Sequence, residues 1–210
     1  MGNDALVDRL RRKGILRSDR VIAAFRSVDR ADFVPASQAE HAYEDRPLPI
    51  GAGQTISAPH MVAVMTEALA PEEDDAVLEV GTGSGYQAAV LAELAGEVVT
   101  TEIVAELVEQ ARERLAAYDN VTVVETDGST GYVEAAPYDG ILYTAAAPDI
   151  AAGVLDQLAP GGTLVAPVGD RHRQDLTVYR KGEDGEIARD VRSSVRFVPL
   201  KGAAGQGQTR

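Results

Sequence analysis

From Ala76 onwards, short apolar runs alternate with segments of helical periodicity, and this alternation constrains the fold more than any other feature. The apolar runs predict strands at Val77–Val80, Val98–Thr101, Val121–Val124, Tyr138–Tyr143 and Thr163–Val168. The segments between them predict helices at Tyr86–Leu94, Ile103–Tyr118 and Ile150–Leu158. Short apolar strands separated by helices are typical of a parallel sheet that is buried on both faces. The sequence therefore predicts an α/β fold.

Residues 1–70 follow a different pattern. Apolar stripes in Leu6–Leu10 and Val21–Val28 predict two helices. Across residues 32–59 the periodicity is lost among prolines and glycines, which predicts a long ordered loop, and such loops are often functional. A further helix is predicted at His60–Leu69.

The C-terminal part differs again. Asp175–Tyr179 and Val191–Val198 flank a turn-rich segment and predict an antiparallel hairpin that closes one edge of the sheet. The Gly- and Gln-rich tail, residues 202–210, is predicted to be mobile. For a chain of 210 residues we expect a single domain, made of the N-terminal part, a core of residues 76–200 and this tail.

The composition excludes several classes of function. The chain has 33 acidic and 20 basic residues, a formal net charge of −13, so it should repel nucleic acids and anionic membrane surfaces. It contains no cysteine, and its three histidines are far apart in sequence, so we expect neither a disulfide nor a metal site. No apolar run reaches the roughly 18 residues of a membrane span, and Met1–Asp4 is unlike a signal segment. We therefore expect a cytoplasmic protein that acts as a monomer.

A glycine-rich loop lies between the first predicted strand of the core and the helix that follows it. Gly81, Gly83 and Gly85 would allow a tight turn and bring a ligand close to the backbone at the N-terminus of that helix. Their G-x-G-x-G spacing departs from the dinucleotide pattern G-x-G-x-x-G, because Tyr86 stands where the last glycine would be. No Lys-Ser/Thr pair follows, which excludes a Walker loop. The loop favours a cofactor site over a purely structural turn.

Two acidic residues follow the next two predicted strands. Glu102 could accept hydrogen bonds from both hydroxyls of a ribose, and Asp127, which precedes Gly128, could accept one from an adenine amino group. Taken singly, Glu102 could be a first-turn acid favoured by a helix dipole, and Asp127 could belong to an ordinary Asp-Gly turn. Because the carboxyl ends of parallel strands meet at one edge of a sheet, the two acids and the glycine loop together favour a nucleoside ligand.

Several segments together resemble known enzymes. The glycine loop, Glu102 and Asp127-Gly128 resemble the S-adenosylmethionine-dependent methyltransferases of the Rossmann-like class. Five further segments resemble the protein-L-isoaspartate O-methyltransferases. These segments are residues 30–35, 45–60, 128–132, 144–148 and 195–200. The resemblance implies a class I fold with a doubly wound, mostly parallel sheet. It also implies methyl transfer from S-adenosyl-L-methionine to the free α-carboxylate of L-isoaspartyl residues, which starts the repair of damaged proteins and peptides.

The resemblance also implies roles for individual residues. The methionine end of the cofactor would be held by Gly81, Gly83 and Gly85, the ribose by Glu102, and the adenine side by Asp127 and Gly128. The segment that covers cofactor and substrate would consist of Gln54, Thr55, Ile56 and Ser57. Ser57 would be the active-site serine. No site residue is assigned after Leu200, because the following sequence gives no clear match to the family.

Ser57 needs only a modest chemical role. The α-carboxylate of the implied substrate has a pKa of about 3.5 and is ionised at neutral pH, so it needs no general base. Ser57 could donate one hydrogen bond to the non-attacking carboxylate oxygen, or it could cap the helix that follows Pro59. His60 ranks below Ser57 as a catalytic candidate, because a structural role is commoner for such a histidine.

Other functions stay open at this point. The chain could be another S-adenosylmethionine-dependent carboxyl or small-molecule methyltransferase, since a fold does not fix its substrate. It could also be a non-catalytic module that binds the cofactor or docks damaged proteins. A nicotinamide oxidoreductase is disfavoured by Tyr86 in place of a glycine.

Overall fold

A computed structural model of the chain describes residues 2–205. Within these residues the α-helices are Asn3–Arg12 (α1), Asp19–Ser27 (α2), Pro59–Leu69 (α3), Tyr86–Ala92 (α4), Ala105–Leu115 (α5) and Ala152–Leu155 (α6). The strands are Leu48–Gly51 (β1), Gln54–Ile56 (β2), Ala76–Val80 (β3), Glu97–Glu102 (β4), Val121–Glu125 (β5), Tyr138–Tyr143 (β6), Leu158–Gly169 (β7), Gln174–Lys181 (β8) and Ile187–Val195 (β9). Short 3-10 helices are present at Arg30–Phe33, Ala36–His41, Gly128–Thr130 and Val133–Ala135.

Seven strands form one sheet in the order β5-β4-β3-β6-β7-β8-β9. The strands from β5 to β7 run parallel, whereas β8 and β9 form an antiparallel hairpin against β7. The predicted fold class, a Rossmann-like and mostly parallel sheet with a C-terminal antiparallel hairpin, is confirmed. The direction in which the strands are added reverses between β3 and β6, and ligands of open α/β sheets bind at the carboxyl ends of strands at such a point.

The central strands are apolar throughout because both of their faces are covered. Leu78 and Ile141 are fully buried on one face of the sheet. Val77 and Leu142 point to the other face, where they pack with Met65 of α3. Burial on both faces explains the continuous apolar runs from which the strands were predicted. Among the helices described within residues 2–205, none is long and apolar enough to span a membrane.

The N-terminal part packs against the start of α4, next to the glycine loop. Phe25 of α2 and Phe33 contact the ring of Tyr86, with distances of 6.2 and 5.6 Å between ring centroids. The fully buried Arg30 donates from Nε to the carbonyl of Ala42 (2.9 Å), and its guanidinium carbon lies 5.2 Å from the centre of the Tyr86 ring. These contacts fix Tyr86, the residue that distinguishes this loop from the dinucleotide pattern.

The segment 32–59 contains more regular structure than the predicted loop. It contains the end of one 3-10 helix, the whole of a second, and the antiparallel hairpin β1–β2, in which Leu48 pairs with Ile56. The two strands have four and three residues, and the first contains Pro49, so their alternation is too short to be recognised in the sequence. The hairpin matters for function because its second strand leads directly to Ser57.

The helix predicted at Ile150–Leu158 is much shorter in the structure. Only Ala152–Leu155 is α-helical, and Leu158 is already the first residue of β7. Leu158 pairs with Tyr138 of β6, and the N–H of Tyr138 donates to the Gln157 carbonyl (2.9 Å). This strand pairing is a tertiary interaction that outweighs the local helical pattern.

The chain beyond the last strand lies along the end of the sheet. The N–H of Leu200 donates to the carbonyl of Ala146 (2.9 Å), and the N–H of Ala203 donates to the carboxylate of Asp127 (2.7 Å). Mobility was predicted for residues 202–210, of which 206–210 lie outside the described residues. The mobility of that tail therefore stays a prediction.

Candidate active site

A cleft opens at the carboxyl ends of β3, β4 and β6, where the strand order reverses. The space within it, with the open solvent at its mouth included, is about 870 Å³. Most of the predicted site residues line it, namely Gln54, Thr55, Ile56, Ser57, Gly81, Gly83, Glu102 and Gly128. Gly85 and Asp127 do not line it. Within residues 2–205 the structure shows no group of three or more acidic or histidine side chains that could hold a metal ion.

Glycine is required at two places around the cleft. Gly81, Gly83 and Gly85 have φ angles of 97°, 54° and 88°, a region that L side chains rarely adopt. Gly128 needs its missing side chain for another reason, because a Cβ there would overlap the side chain of Thr101. The loop glycines therefore allow the turn, whereas Gly128 allows the segment after β5 to approach β4 closely.

Glu102, the last residue of β4, is almost completely buried at the cleft. Its Oε2 accepts a hydrogen bond from the N–H of Gly83, and its Oε1 accepts from the N–H groups of Ile103 and Val104, all at 3.0 Å. A carboxylate has about four acceptor positions, so these backbone groups leave about one for a ligand hydroxyl. Glu102 therefore fixes the glycine loop and is also able to bind a ribose.

Glu79 lines the same cleft and was not predicted as a site residue. It is fully buried, and its Oε2 accepts a hydrogen bond of 2.5 Å from the hydroxyl of Thr100, which is itself 2.6 Å from the hydroxyl of Thr82. Its Oε1 has no partner within residues 2–205. Burial raises the pKa of Glu79 to about 8. The hydrogen bond from Thr100 acts to lower this pKa, and the charge of Glu102 acts to raise it by a smaller amount. The signal that could have identified Glu79 is its position as a single acid inside the apolar run 77–80.

Other lining residues also escaped the sequence prediction. Ile103 is an apolar side chain that is 43% exposed at the cleft, next to Glu102. Thr144 follows β6, and its hydroxyl donates to the carbonyl of Gly81. Lys201 reaches the cleft from the segment after β9. Thr144 lies in the segment 144–148 that resembles the family, and Ile103 directly follows Glu102, so both positions had a local signal, whereas Lys201 had none.

Asp127 lies beside the cleft rather than in its lining. Its Oδ1 accepts from the N–H of Ser129 (2.9 Å), and its Oδ2 accepts from the N–H of Ala203 (2.7 Å). Burial acts to raise the pKa of Asp127, but hydrogen bonds from Ser129 and Ala203 outweigh it, and the net shift is downward. The carboxylate therefore holds the segment after Leu200 against the turn at Gly128. A contact of Asp127 with adenine stays a prediction.

Ser57 lies on the cleft between β2 and α3. Helix α3 begins at Pro59 and its N-cap position is Ala58, so the alternative in which Ser57 caps this helix is wrong. Within residues 2–205 the Ser57 hydroxyl makes no hydrogen bond and is free for a ligand. His60 does not line the cleft, and both its N–H and its Nδ1 contact Oδ1 of Asp45, at 3.0 and 2.8 Å.

The raised pKa of Glu79 predicts a dependence of stability on pH. The folded chain retains this proton up to about pH 8, whereas an unfolded glutamate loses it near its ordinary pKa of 4.5. The contribution of Glu79 to the unfolding free energy therefore falls as the pH rises through this interval. We expect Glu79→Gln, which cannot ionise, to gain stability relative to the unmodified chain between about pH 5 and pH 8 in urea denaturation. Glu125→Gln is the control, and a difference for Glu79→Gln that is constant over the interval would contradict the raised pKa.

The sequence of the chain matches known proteins along almost its whole length. Residues 1–205 match the family model of protein-L-isoaspartate(D-aspartate) O-methyltransferase (PCMT). The chain is 53% identical over 208 residues to a protein-L-isoaspartate O-methyltransferase of Methanopyrus kandleri, which covers 96% of this chain and 92% of that protein. It is 48% identical over 207 residues to the protein of the same name in Myxococcus xanthus, and this match covers 96% of this chain and 97% of that protein.

Solved structures agree with the sequence comparison. A crystal structure of a beta-aspartate methyltransferase (PCMT) from Plasmodium falciparum, in complex with S-adenosyl-L-homocysteine, matches with a TM-score of 0.84 at 27% identity and covers 96% of this chain and 99% of that one. A second protein-L-isoaspartate O-methyltransferase matches with a TM-score of 0.86 at 26% identity, over 96% of this chain and 66% of the other. The chain belongs to the protein-L-isoaspartate(D-aspartate) O-methyltransferase family.

Proposed function

We propose that this chain transfers a methyl group from S-adenosyl-L-methionine to the free α-carboxylate of L-isoaspartyl residues in damaged proteins and peptides. The methyl ester starts their repair to aspartyl residues. The observation that carries the proposal is that one cleft brings the free hydroxyl of Ser57 together with the glycine loop and Glu102, in a chain of this family. A methyl donor and an acceptor carboxylate can meet in such a cleft, and holding two reactants together accelerates their reaction.

The side chains of the cleft fit this cofactor. Glu102 has an acceptor position left for a ribose hydroxyl, and Ile103 offers an apolar surface to the base. The unpartnered Oε1 of Glu79 suits the cationic methionine end, because a cation beside this buried carboxyl group would lower its raised pKa and favour its ionised form. When bound, S-adenosyl-L-methionine supplies an electrophilic methyl group. We assign the remaining cofactor contacts to the glycine loop, to the segment from Gln54 to Ser57 and to the turn at Asp127-Gly128.

The residues of the chain need to orient the substrate rather than activate it. A carboxylate that is ionised at neutral pH is already a nucleophile, so no proton has to be removed from it. The hydroxyl of Ser57 can donate a hydrogen bond to the oxygen that does not react. Val62 and Met65 of α3 line the cleft with apolar surface, which limits the access of water to the reacting groups.

The charge of the chain supports a proposal for its setting. With a net charge of −13 the surface repels nucleic acids and anionic membranes, so we assign the reaction to the cytoplasm and to protein substrates. We further propose that the chain acts as a monomer. A single copy of the chain supplies the glycine loop, Glu102 and Ser57 to the cleft.

Turnover on matched peptides tests the proposal. The chain is incubated with methyl-labelled S-adenosyl-L-methionine and either an isoaspartyl peptide or the same peptide with an ordinary aspartyl residue. We expect base-labile label on the isoaspartyl peptide alone. Cofactor binding with no label on either peptide would support the non-catalytic module instead. Faster labelling of an unrelated carboxylate would support another carboxyl methyltransferase.

Glu102→Gln should weaken cofactor binding. The amide removes the charge and replaces one acceptor oxygen with a donor, and hydrogen bonds to charged groups contribute about 1.5–3 kcal/mol. We therefore expect the Kd for S-adenosyl-L-homocysteine, measured by calorimetry, to rise roughly ten- to a hundred-fold. Glu125→Gln is a matched control, because Glu125 is the register partner of Glu102 on the neighbouring strand and is exposed. Equal affinities in the two variants would remove Glu102 from the site.

Ser57→Ala should lower turnover more than it lowers cofactor affinity. If the hydroxyl orients one carboxylate oxygen, we expect a loss on the order of ten- to a thousand-fold in kcat, measured with the isoaspartyl peptide, and little change in the Kd of the cofactor. Ser193→Ala, an exposed serine of β9, is the control. Full retention of kcat in Ser57→Ala would show that the hydroxyl has no part in the reaction.

A further inference from the structure

The cleft carries an unusual distribution of charge. Two acids, Glu79 and Glu102, lie at its inner end. Among the described residues that line it, Lys201 is the one basic side chain. The proposed substrate brings a carboxylate into this cleft, in a chain with a net charge of −13. A positively charged side chain in the cleft would stabilise an anion that enters it.

Other basic groups near the cleft are already engaged. Arg114 donates from Nη1 to the carbonyl of Ser84 on the glycine loop (3.2 Å). His60 is held by Asp45 and does not line the cleft. Lys201, in contrast, is exposed and makes no ion pair or side-chain hydrogen bond within residues 2–205. It is therefore the cation that is free to meet an incoming carboxylate.

The backbone fixes the position of Lys201. On one side the N–H of Leu200 donates to the carbonyl of Ala146, and on the other the N–H of Ala203 donates to the carboxylate of Asp127. Leu200 is buried, so the chain is anchored in the residue immediately before the lysine. A long side chain on an anchored backbone delivers its charge to a restricted region, which here includes the cleft.

We propose that Lys201 is a substrate-binding residue whose ammonium group pairs with the carboxylate of the isoaspartyl substrate in the cleft. The inference rests on the proposed function and assigns to this chain a contact beyond Ser57. No site residue is predicted from the sequence after Leu200, so this assignment comes from the place of Lys201 on the cleft and from its charge. The cofactor also carries a carboxylate, and that second source of the same chemistry has to be separated by experiment.

The proposal predicts different effects on the KM of the peptide and on kcat. An ion pair to the carboxylate forms when the peptide binds and weakens as methyl transfer neutralises the negative charge, so it stabilises the bound peptide at least as much as the transition state. Loss of such an interaction raises KM with little change in kcat. An exposed ion pair is also screened by salt, so its contribution falls as the ionic strength rises.

Three variants test the inference in methylation of the isoaspartyl peptide. Lys201→Met removes the charge at similar length, Lys201→Arg retains it, and Arg196→Met makes the same change of net charge at an exposed residue outside the cleft. We expect Lys201→Met to raise the KM of the peptide about 5- to 30-fold, with kcat and the Kd of S-adenosyl-L-homocysteine changed less than about threefold. Lys201→Arg should restore most of the affinity, and Arg196→Met should resemble the unmodified chain.

Salt provides a second readout. Added sodium chloride should raise the KM of the peptide in the unmodified chain and in Arg196→Met, and should raise it less in Lys201→Met. An unchanged KM in Lys201→Met would overturn the inference. A higher Kd of S-adenosyl-L-homocysteine in Lys201→Met than in the unmodified chain would overturn it too, because the ammonium would then bind the carboxylate of the cofactor. These failures differ from failure of the proposed function, in which the unmodified chain itself would not methylate the isoaspartyl peptide.

Discussion

The carboxylate of Glu102 is the group on which the geometry of the cleft depends. It binds the N–H of Gly83 through one oxygen and the first N–H groups after β4 through the other. The loop is held a second time by the carbonyl of Thr101, which accepts from the N–H groups of Gly81 and Thr82 at 2.9 and 3.1 Å. The end of β4 therefore sets the shape of the turn after β3. A cofactor bound there meets a surface that is already ordered, which reduces the entropic cost of binding.

The charges of the cleft are arranged in two groups with different tasks. The inner acids, Glu79 and Glu102, suit a ligand with a cationic end and ribose hydroxyls, because one is buried with a free oxygen and the other is fixed by backbone groups. Ser57 and Lys201 also line the cleft, and their hydroxyl and ammonium groups are donors that suit a carboxylate. A cleft lined by both kinds of group suits a cationic methyl donor together with an anionic acceptor.

Much of this site could be predicted from the sequence because its central parts are local motifs. The glycine loop, with its strand before and helix after, is encoded within a few residues, and Glu102 ends the next strand. The same locality explains the correct prediction of the sheet, since apolar runs mark strands that are buried on both faces. Strand β7 was less well predicted, because its start depends on pairing with β6 rather than on the residues around Leu158.

The residues that escaped prediction depend on contacts between distant parts of the chain. In the sequence, Glu79 is one polar residue within a predicted strand. Only the folded structure shows that it is buried beside Thr100 and that one of its carboxyl oxygens has no partner within residues 2–205. Lys201 is far from the glycine loop in sequence and is brought to the cleft by the bond between Ala203 and Asp127. The hairpin β1–β2, which carries the chain to Ser57, is too short for a periodic pattern.

The central claim is that the cleft at the ends of β3, β4 and β6 holds the cofactor through Glu102. A crystal structure of the chain with S-adenosyl-L-homocysteine tests it most directly. The account predicts a ribose hydroxyl within hydrogen-bond distance of the Glu102 carboxylate, the base against Ile103, and the amino group of the methionine end on the side of Glu79. A nucleoside bound outside this cleft, or one whose ribose makes no contact with Glu102, would contradict the account.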